Sequence, residues 1–269
     1  MNFPKVVRIE PAAKCNLACS HCPTGTVDMS RGLMNEEVFK KIFNELKKNL
    51  EFIKVIVLYH GGEPLLNKKF FNMCSSIRAL SNNIKIKTVT NGMTLTINNS
   101  HKLIECGLNE IEVSLDGSSP NESEEVRINS KTSKIIENIN KLIEIRDYKK
   151  SDLNIYITTT QFLRSKLDVE NPEKLVAKTP TWIKDLFGNN VKYKSNLAMK
   201  WPHMNVDNQY ELARANGLDK NYCDHPINTI SIRSNGDIVP CCYDITSQMV
   251  MGNIMNDTIA DIFNGSKYS

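Results

Sequence analysis

A strand-then-helix unit recurs through residues 5–160 with a period of roughly thirty residues. Apolar runs stand at 5–10, 53–59, 84–89, 110–115 and 153–159, and segments with helical spacing follow at 35–48, 68–81, 97–106 and 131–146. The first helix is the best marked: Asn35 is its cap, Glu36 and Glu37 fill its first turn, and Val38, Phe39, Ile42, Phe43 and Leu46 form one apolar stripe. The run Ile53–Tyr59 is nearly all apolar and predicts a strand buried on both faces. Alternating units of this kind build a parallel sheet with right-handed crossovers. Beyond 160 the pattern is weaker. Leu175 and Val176 suggest a short helix and Val191–Met199 a sixth strand that Trp201-Pro202 ends. Ser234-Asn235-Gly236 between two apolar runs signals a hairpin, 249–254 a further strand and Thr258–Phe263 a last helical turn.

Sheets and barrels of this type bind ligands at the carboxyl ends of their strands. Four motifs fall on that rim: the loop 11–32, Gly61-Gly62-Glu63-Pro64, Thr90-Asn91-Gly92 and Ser114-Leu115-Asp116-Gly117. The first carries Cys15, Cys19 and Cys22. Three thiolates hold three corners of an iron–sulfur cube and leave one iron open, as a reactive centre requires. A zinc knuckle completed by His21 or a distant residue is the alternative. The eight cysteines of the 269-residue chain fall into close groups, which in a reducing compartment read as metal ligands rather than disulfides. Cys74 and Cys106 lie on apolar helix faces and read as small buried hydrophobes.

The formal net charge of +4 comes from scattered lysines, with no basic stripe interleaved with aromatics, so no nucleic-acid partner is expected. No apolar run reaches membrane-spanning length and Met1–Lys5 opens no signal-peptide core, so the expectation is a cytoplasmic protein with no membrane partner.

The cysteine spacing after a first strand, the Gly-Gly-Glu-Pro after the second and the acidic turn after the fourth together resemble the radical S-adenosylmethionine (SAM) superfamily over residues 5–160. The resemblance implies a [4Fe–4S] cluster on Cys15, Cys19 and Cys22, with SAM chelated to the open iron. One electron from that cluster then cleaves the sulfonium, and the resulting 5′-deoxyadenosyl radical abstracts hydrogen from a substrate. It also implies SAM contacts from Gly61, Gly62 and Glu63, from Asn91 on the adenosine side, from Ser114, and from Arg127 to the SAM carboxylate. His21 stands where the family usually has an aromatic residue beside the adenine. For Glu63 a loop-pinning carboxylate, for Arg127 a surface position and for Asn91 plain turn chemistry are the alternatives. A flavodoxin- or ferredoxin-type reductant is the implied partner.

Cys223, the hairpin, Gly236–Cys241 and Met251-Gly252-Asn253-Ile254 resemble the SPASM and twitch auxiliary-cluster extensions, including those of cyclitol-oxidising members. The resemblance implies a second cluster on Cys223 and Cys241. The family completes that cluster with a Cys-x-x-Cys pair beyond the last helix, which this sequence does not contain. The extension is therefore expected to be incomplete through a shortened C-terminus, and an incomplete cluster or substitution by Cys242 and His225 are the alternatives.

The expected architecture is a partial (β/α)6 TIM-like barrel at 1–205 and a small hairpin-and-helix extension at 206–269 closing one side of the barrel mouth. The expected activity is radical SAM hydrogen abstraction from a small molecule, with oxidation of a sugar or cyclitol alcohol as the leading reading. A peptide or protein maturase of the sulfatase-activating or ribosomal-peptide-modifying kind is the second. A metal-binding scaffold without turnover is the third.

Overall fold

The computed structural model describes residues 3–29, 31–163, 176–198, 201 and 223–268. The elements run in order: β1 (Val6–Ile9), α1 (Pro23–Thr26), α2 (Glu36–Lys48), β2 (Val55–Leu58), α3 (Phe70–Leu80), β3 (Lys85–Thr90), α4 (Ile97–Glu105), β4 (Glu110–Ser114), α5 (Pro120–Val126), α6 (Thr132–Tyr148), β5 (Asn154–Gln161), α7 (Thr181–Phe187) and β6 (Lys192–Leu197), with the short helices α1, α5 and α7 additional to those the sequence predicts. The extension adds α8 (His225–Asn228), β7 (Thr229–Ile232), β8 (Asp237–Val239), β9 (Gly252–Asn253) and α9 (Ile259–Phe263). Caps set the helix starts, at Asn35 as the sequence indicates and also at Thr96. Asn35 accepts a bond from Val38 N at 2.9 Å, and Thr96 accepts one from Asn99 N at 3.2 Å. The short helix expected at Leu175, the His203 region and the boundary at 205/206 lie outside the described residues.

The strands make one sheet in the order β6-β5-β4-β3-β2-β1-β7-β8-β9, parallel from β6 to β7. Its six barrel strands are the partial TIM-like barrel. The extension is continuous with that barrel: β7 pairs in parallel register with β1, Val6 opposite Thr229 and Ile9 opposite Ile232. The hairpin then turns antiparallel through β8 and β9.

One face of the barrel sheet is the core. Val7, Ile9, Ile56, Leu58, Ile86, Ile111, Val113, Ile155 and Ile157 join Ile42, Leu46, Ile77, Leu103, Ile139 and Leu142 from the helices in a single buried cluster. On the opposite face, charged and polar residues gather along β3 to β6. In β2 burial alternates rather than covering both faces, because every second residue looks into an open lumen instead of a second helix layer. Lys87, Glu110 and Glu112 lie on this inner face with Tyr156 and Lys194. Glu110 binds Lys85 at 2.6 Å, Lys87 at 2.7 Å and Lys194 at 3.2 Å, and Lys194 sits 4.1 Å above the Tyr156 ring. Burial works against the charge of Glu110, but the three ammonium groups prevail and hold its carboxyl at about 2.

Candidate active site

A cavity of about 690 Å³ opens at the carboxyl ends of the strands. One wall is the cysteine loop: Cys15, Cys19 and Cys22 all line it. The loop is tied down by backbone bonds from Ala18 N and Ser20 N to the Ile128 and Val126 carbonyls, both at 3.0 Å. Leu17 N and Asn91 Nδ2 approach the Cys15 sulfur at 3.5 and 3.7 Å. Cys22 is the cap position of α1, and its carbonyl accepts from Gly25 N at 3.0 Å. Burial pushes all three thiols up, Cys19 to about 12, and the nearby Arg127 guanidinium offsets only part of this for Cys19. Each thiol must therefore yield its proton to whatever metal it binds.

The second strand end supplies the backbone cradle. A Cβ on Gly62 would collide with the carbonyl oxygens of Ala12 and Lys14, and Glu63 N donates to the Lys14 carbonyl at 2.9 Å, so only glycine lets the two loops meet. Thr24 Oγ1 donates to the Gly61 carbonyl at 2.6 Å, locking the same loop to α1. Glu63 is buried and its oxygens are committed: Oε1 accepts from Thr90 Oγ1 at 2.9 Å and Leu65 N at 3.1 Å, and Oε2 accepts from Asn91 N at 2.7 Å. These bonds describe the loop-pinning carboxylate. Burial, the largest influence, raises its pKa above the ordinary range.

Asp116 and Arg127 face the cysteines as a buried pair, with Nη1 donating to Oδ2 at 2.6 Å. Burial opposes the Asp116 charge, but Arg127 and His21 outweigh it and hold the carboxyl well below its usual range. His21 Nε2 lies 3.5 Å from the same oxygen, and its ring meets Phe162 edge-on at 5.0 Å. Asn91 donates to Asn16 Oδ1 at 2.8 Å, and Ser114 lines the cavity from the end of β4. Every candidate on the barrel side thus reaches one cavity, whereas Cys223, Cys241 and Cys242 stand on the extension. There Cys242 Sγ lies 3.1 Å from His225 Nδ1 and Tyr243 N donates to Cys241 Sγ at 3.4 Å.

Among the described residues no three or more His, Cys, Asp or Glu side chains gather around a single-ion centre, and His21 is engaged with Asp116. His21 Nε2 is thus directed to Asp116 instead of standing free to complete a zinc knuckle. The residues fit a larger iron–sulfur group carrying a polar ligand. Three thiols share one wall, the Gly62 cradle brings backbone to the cavity, and Arg127 Nε and His21 Nδ1 are buried polar atoms with no protein partner.

The sequence reading did not single out the opposite wall. Tyr59, Thr158, Thr160, Asn196, Trp201 and Tyr243 complete the cavity. Alternation along β5 and β6 carries the signal for Thr158, Thr160 and Asn196, since each stands on the inner face near a strand's carboxyl end. Trp201 and Tyr243 come from segments far apart in the chain and meet edge to face at 5.3 Å.

Comparison with known proteins agrees with this geometry. The Radical SAM superfamily model matches residues 9–159, and the SPASM iron–sulfur cluster-binding domain matches 223–269. A GTP 3′,8-cyclase of Alkaliphilus oremlandii is 24% identical over 268 residues, covering 88% of this chain and 80% of that one. Other curated relatives are matched over just under half of their own length. The structure of BtrN in complex with AdoMet and 2-DOIA superposes with a TM-score of 0.62 at 18% identity, over 100% of this chain and 85% of that one. Native anSMEcpe with bound AdoMet gives 0.68 at 16% identity, over 98% and 81%. No helix among the described residues is long and apolar enough to cross a membrane. With more than half of its length matched by that family model, around a cavity that gathers the three cysteines and the glycine cradle, this chain belongs to the radical SAM superfamily and carries a SPASM segment.

Proposed function

We propose that this radical SAM enzyme cleaves S-adenosylmethionine reductively at Cys15, Cys19 and Cys22 and abstracts hydrogen from a small polar substrate, oxidising a sugar or cyclitol alcohol. When bound, the [4Fe–4S] cluster and SAM supply one-electron cleavage and a hydrogen-abstracting adenosyl group. The chain's own residues do the rest. The three cysteines hold the cluster, and the Gly61–Gly62 backbone together with Ser114 and Asn91 orients SAM. Arg127, fixed by Asp116, offers its free Nε to the SAM carboxylate. His21 packs beside the adenine, and Glu63 keeps the loop in place.

The observation that carries the substrate class is the opposite wall. Thr158, Thr160 and Asn196 present hydroxyl and amide groups to the cavity, with the aromatic pair Trp201 and Tyr243 beside them. The carboxylates of the site, Asp116 and Glu63, already have their oxygens committed to protein donors. Such a wall suits an uncharged ring bearing hydroxyls. A second cluster on Cys223 and Cys241 would receive the electron left on the oxidised substrate, and a flavodoxin- or ferredoxin-type protein would supply the first. BtrN, whose structure holds AdoMet and 2-DOIA, shares this fold and supports the reading.

The test is product analysis after anaerobic reconstitution. The expected result is 5′-deoxyadenosine together with a ketone from a candidate cyclitol or sugar. Deoxyadenosine without ketone would remove the oxidation while leaving the SAM chemistry. A peptide retained in the cavity in place of the polyol would favour the maturase reading, which the likeness to anSMEcpe motivates.

A further inference from the structure

Glu10 follows β1 and is fully buried. Its Oε1 accepts from Gly61 N at 3.1 Å, while Oε2 accepts from Arg233 Nε at 2.8 Å and from Ser234 N at 3.0 Å. Arg233 follows β7 and is also buried. Its Nη1 donates to the Ile245 carbonyl, to the Asp244 carbonyl at 3.3 Å and to Ser247 Oγ at 2.9 Å. One ion pair thus reaches the glycine cradle at one end and the loop after Cys241 and Cys242 at the other. Packing follows the same route, since a Cβ on Gly61 would lie 2.8 Å from Ile245 Cγ2 and 3.0 Å from Glu10 Oε1.

We propose that Glu10 and Arg233 are positioning residues that link SAM binding at the Gly61–Gly62 loop to the state of the Cys241–Cys242 loop. The inference rests on the reading that SAM binds beside Gly61 and that Cys223 and Cys241 hold a second cluster. A buried pair is costly to desolvate, and such pairs are best explained where they fix one arrangement against others. Here the arrangement fixed is that of two loops from opposite ends of the chain. Because coupling between sites is reciprocal, SAM alters the second cluster to the extent that the second loop alters SAM affinity.

The experiment uses the reconstituted full chain and reads two quantities: the SAM dissociation constant, and the change that SAM produces in the midpoint potential of the second cluster. Arg233→Met is expected to weaken SAM binding about tenfold and to abolish the SAM-dependent change in potential. Arg233→Lys is expected to recover part of both, because it restores the charge but not the forked donor. Should Arg233→Met fail to fold, Glu10→Gln keeps the shape. Its amide can accept from Gly61 N or from the Arg233 side but not from both, so it is expected to lose the same coupling. A variant that keeps SAM affinity within twofold and retains the change in potential overturns the proposal while leaving the SAM and cluster readings intact. Wild-type protein that binds no SAM, or shows no second cluster, overturns the proposal together with the reading beneath it.

Discussion

The two cysteine regions of this chain solve different problems. Cys15, Cys19 and Cys22 sit in a wall built by the barrel: β1 leads in, Val126 and Ile128 anchor the loop, Gly62 and Asn91 approach from the ends of β2 and β3, and Arg127 from the end of α5. Cys223, Cys241 and Cys242 belong to one local segment, and Cys223 is exposed. Burial drives the barrel thiols up, whereas Cys241 is pulled down by the bond with its neighbour Cys242, which is itself pushed up. The barrel site is therefore a rigid mould that must displace protons to take its metal. The extension site stands on a separate segment, joined to that wall by the pairing of β7 with β1 and by the buried ion pair of Glu10 with Arg233.

The sharpest break of this contrast is by cysteine replacement. The Cys15→Ala/Cys19→Ala/Cys22→Ala variant is expected to yield no 5′-deoxyadenosine. Cys223→Ala/Cys241→Ala should keep SAM cleavage and lose about half of the bound iron, if each site holds one four-iron cluster. Iron and sulfide content per chain checks both.

Next is the mould's own charge pair. Arg127→Met leaves Asp116 buried without its partner and should cost about 3–5 kcal/mol in thermal or denaturant unfolding. The same change should weaken SAM binding.

Gly62→Ala probes the cradle without touching any charge. Its Cβ meets backbone carbonyls that cannot swing aside, so a loss of about 1–3 kcal/mol accompanies loss of SAM affinity in a binding titration.

Acid sharpens the contrast more gently. The Asp116 carboxyl is held below its unfolded value of about 3.9. Its contribution to stability is therefore complete above that pH and declines as pH falls toward the folded value. A pH series of melting temperatures should show this decline in wild type and a flatter acid limb in Asp116→Asn.

The smallest effect is expected from His225→Ala. It removes the neighbour of Cys242 and should leave deoxyadenosine formation within about twofold of wild type, because the group it bonds belongs to the extension and not to the barrel.

The sequence made legible what repeats or what is capped. Strand ends, the glycine cradle and the cysteine loop followed from periodicity and turn chemistry, and the helix cap the sequence marks, Asn35, stands at the start of α2. Less legible were short helices. The seven-residue α5 is announced only by Ser119, which accepts from Glu122 N at 3.2 Å, and by Pro120; the seven-residue α7 has only Pro180 before it. Pairings between distant segments gave no local signal. Glu10 looks like a strand-end acid and Arg233 like a hairpin cation until the fold brings them together. The lumen was concealed for another reason. A run such as Ile53–Tyr59 is apolar at nearly every position, and nothing local says that half of it faces a polar cavity rather than helices.

The pairing of β7 with β1 also has a consequence for how the molecule is made. Thr229–Ile232 must reach back across more than 220 residues to complete the edge of β1. Contacts of such sequence separation form slowly, because the loop must close before any bond rewards it. Throughout synthesis of the barrel, β1 therefore presents a bare edge able to pair with another chain. The cysteine loop leaves from the end of that same strand.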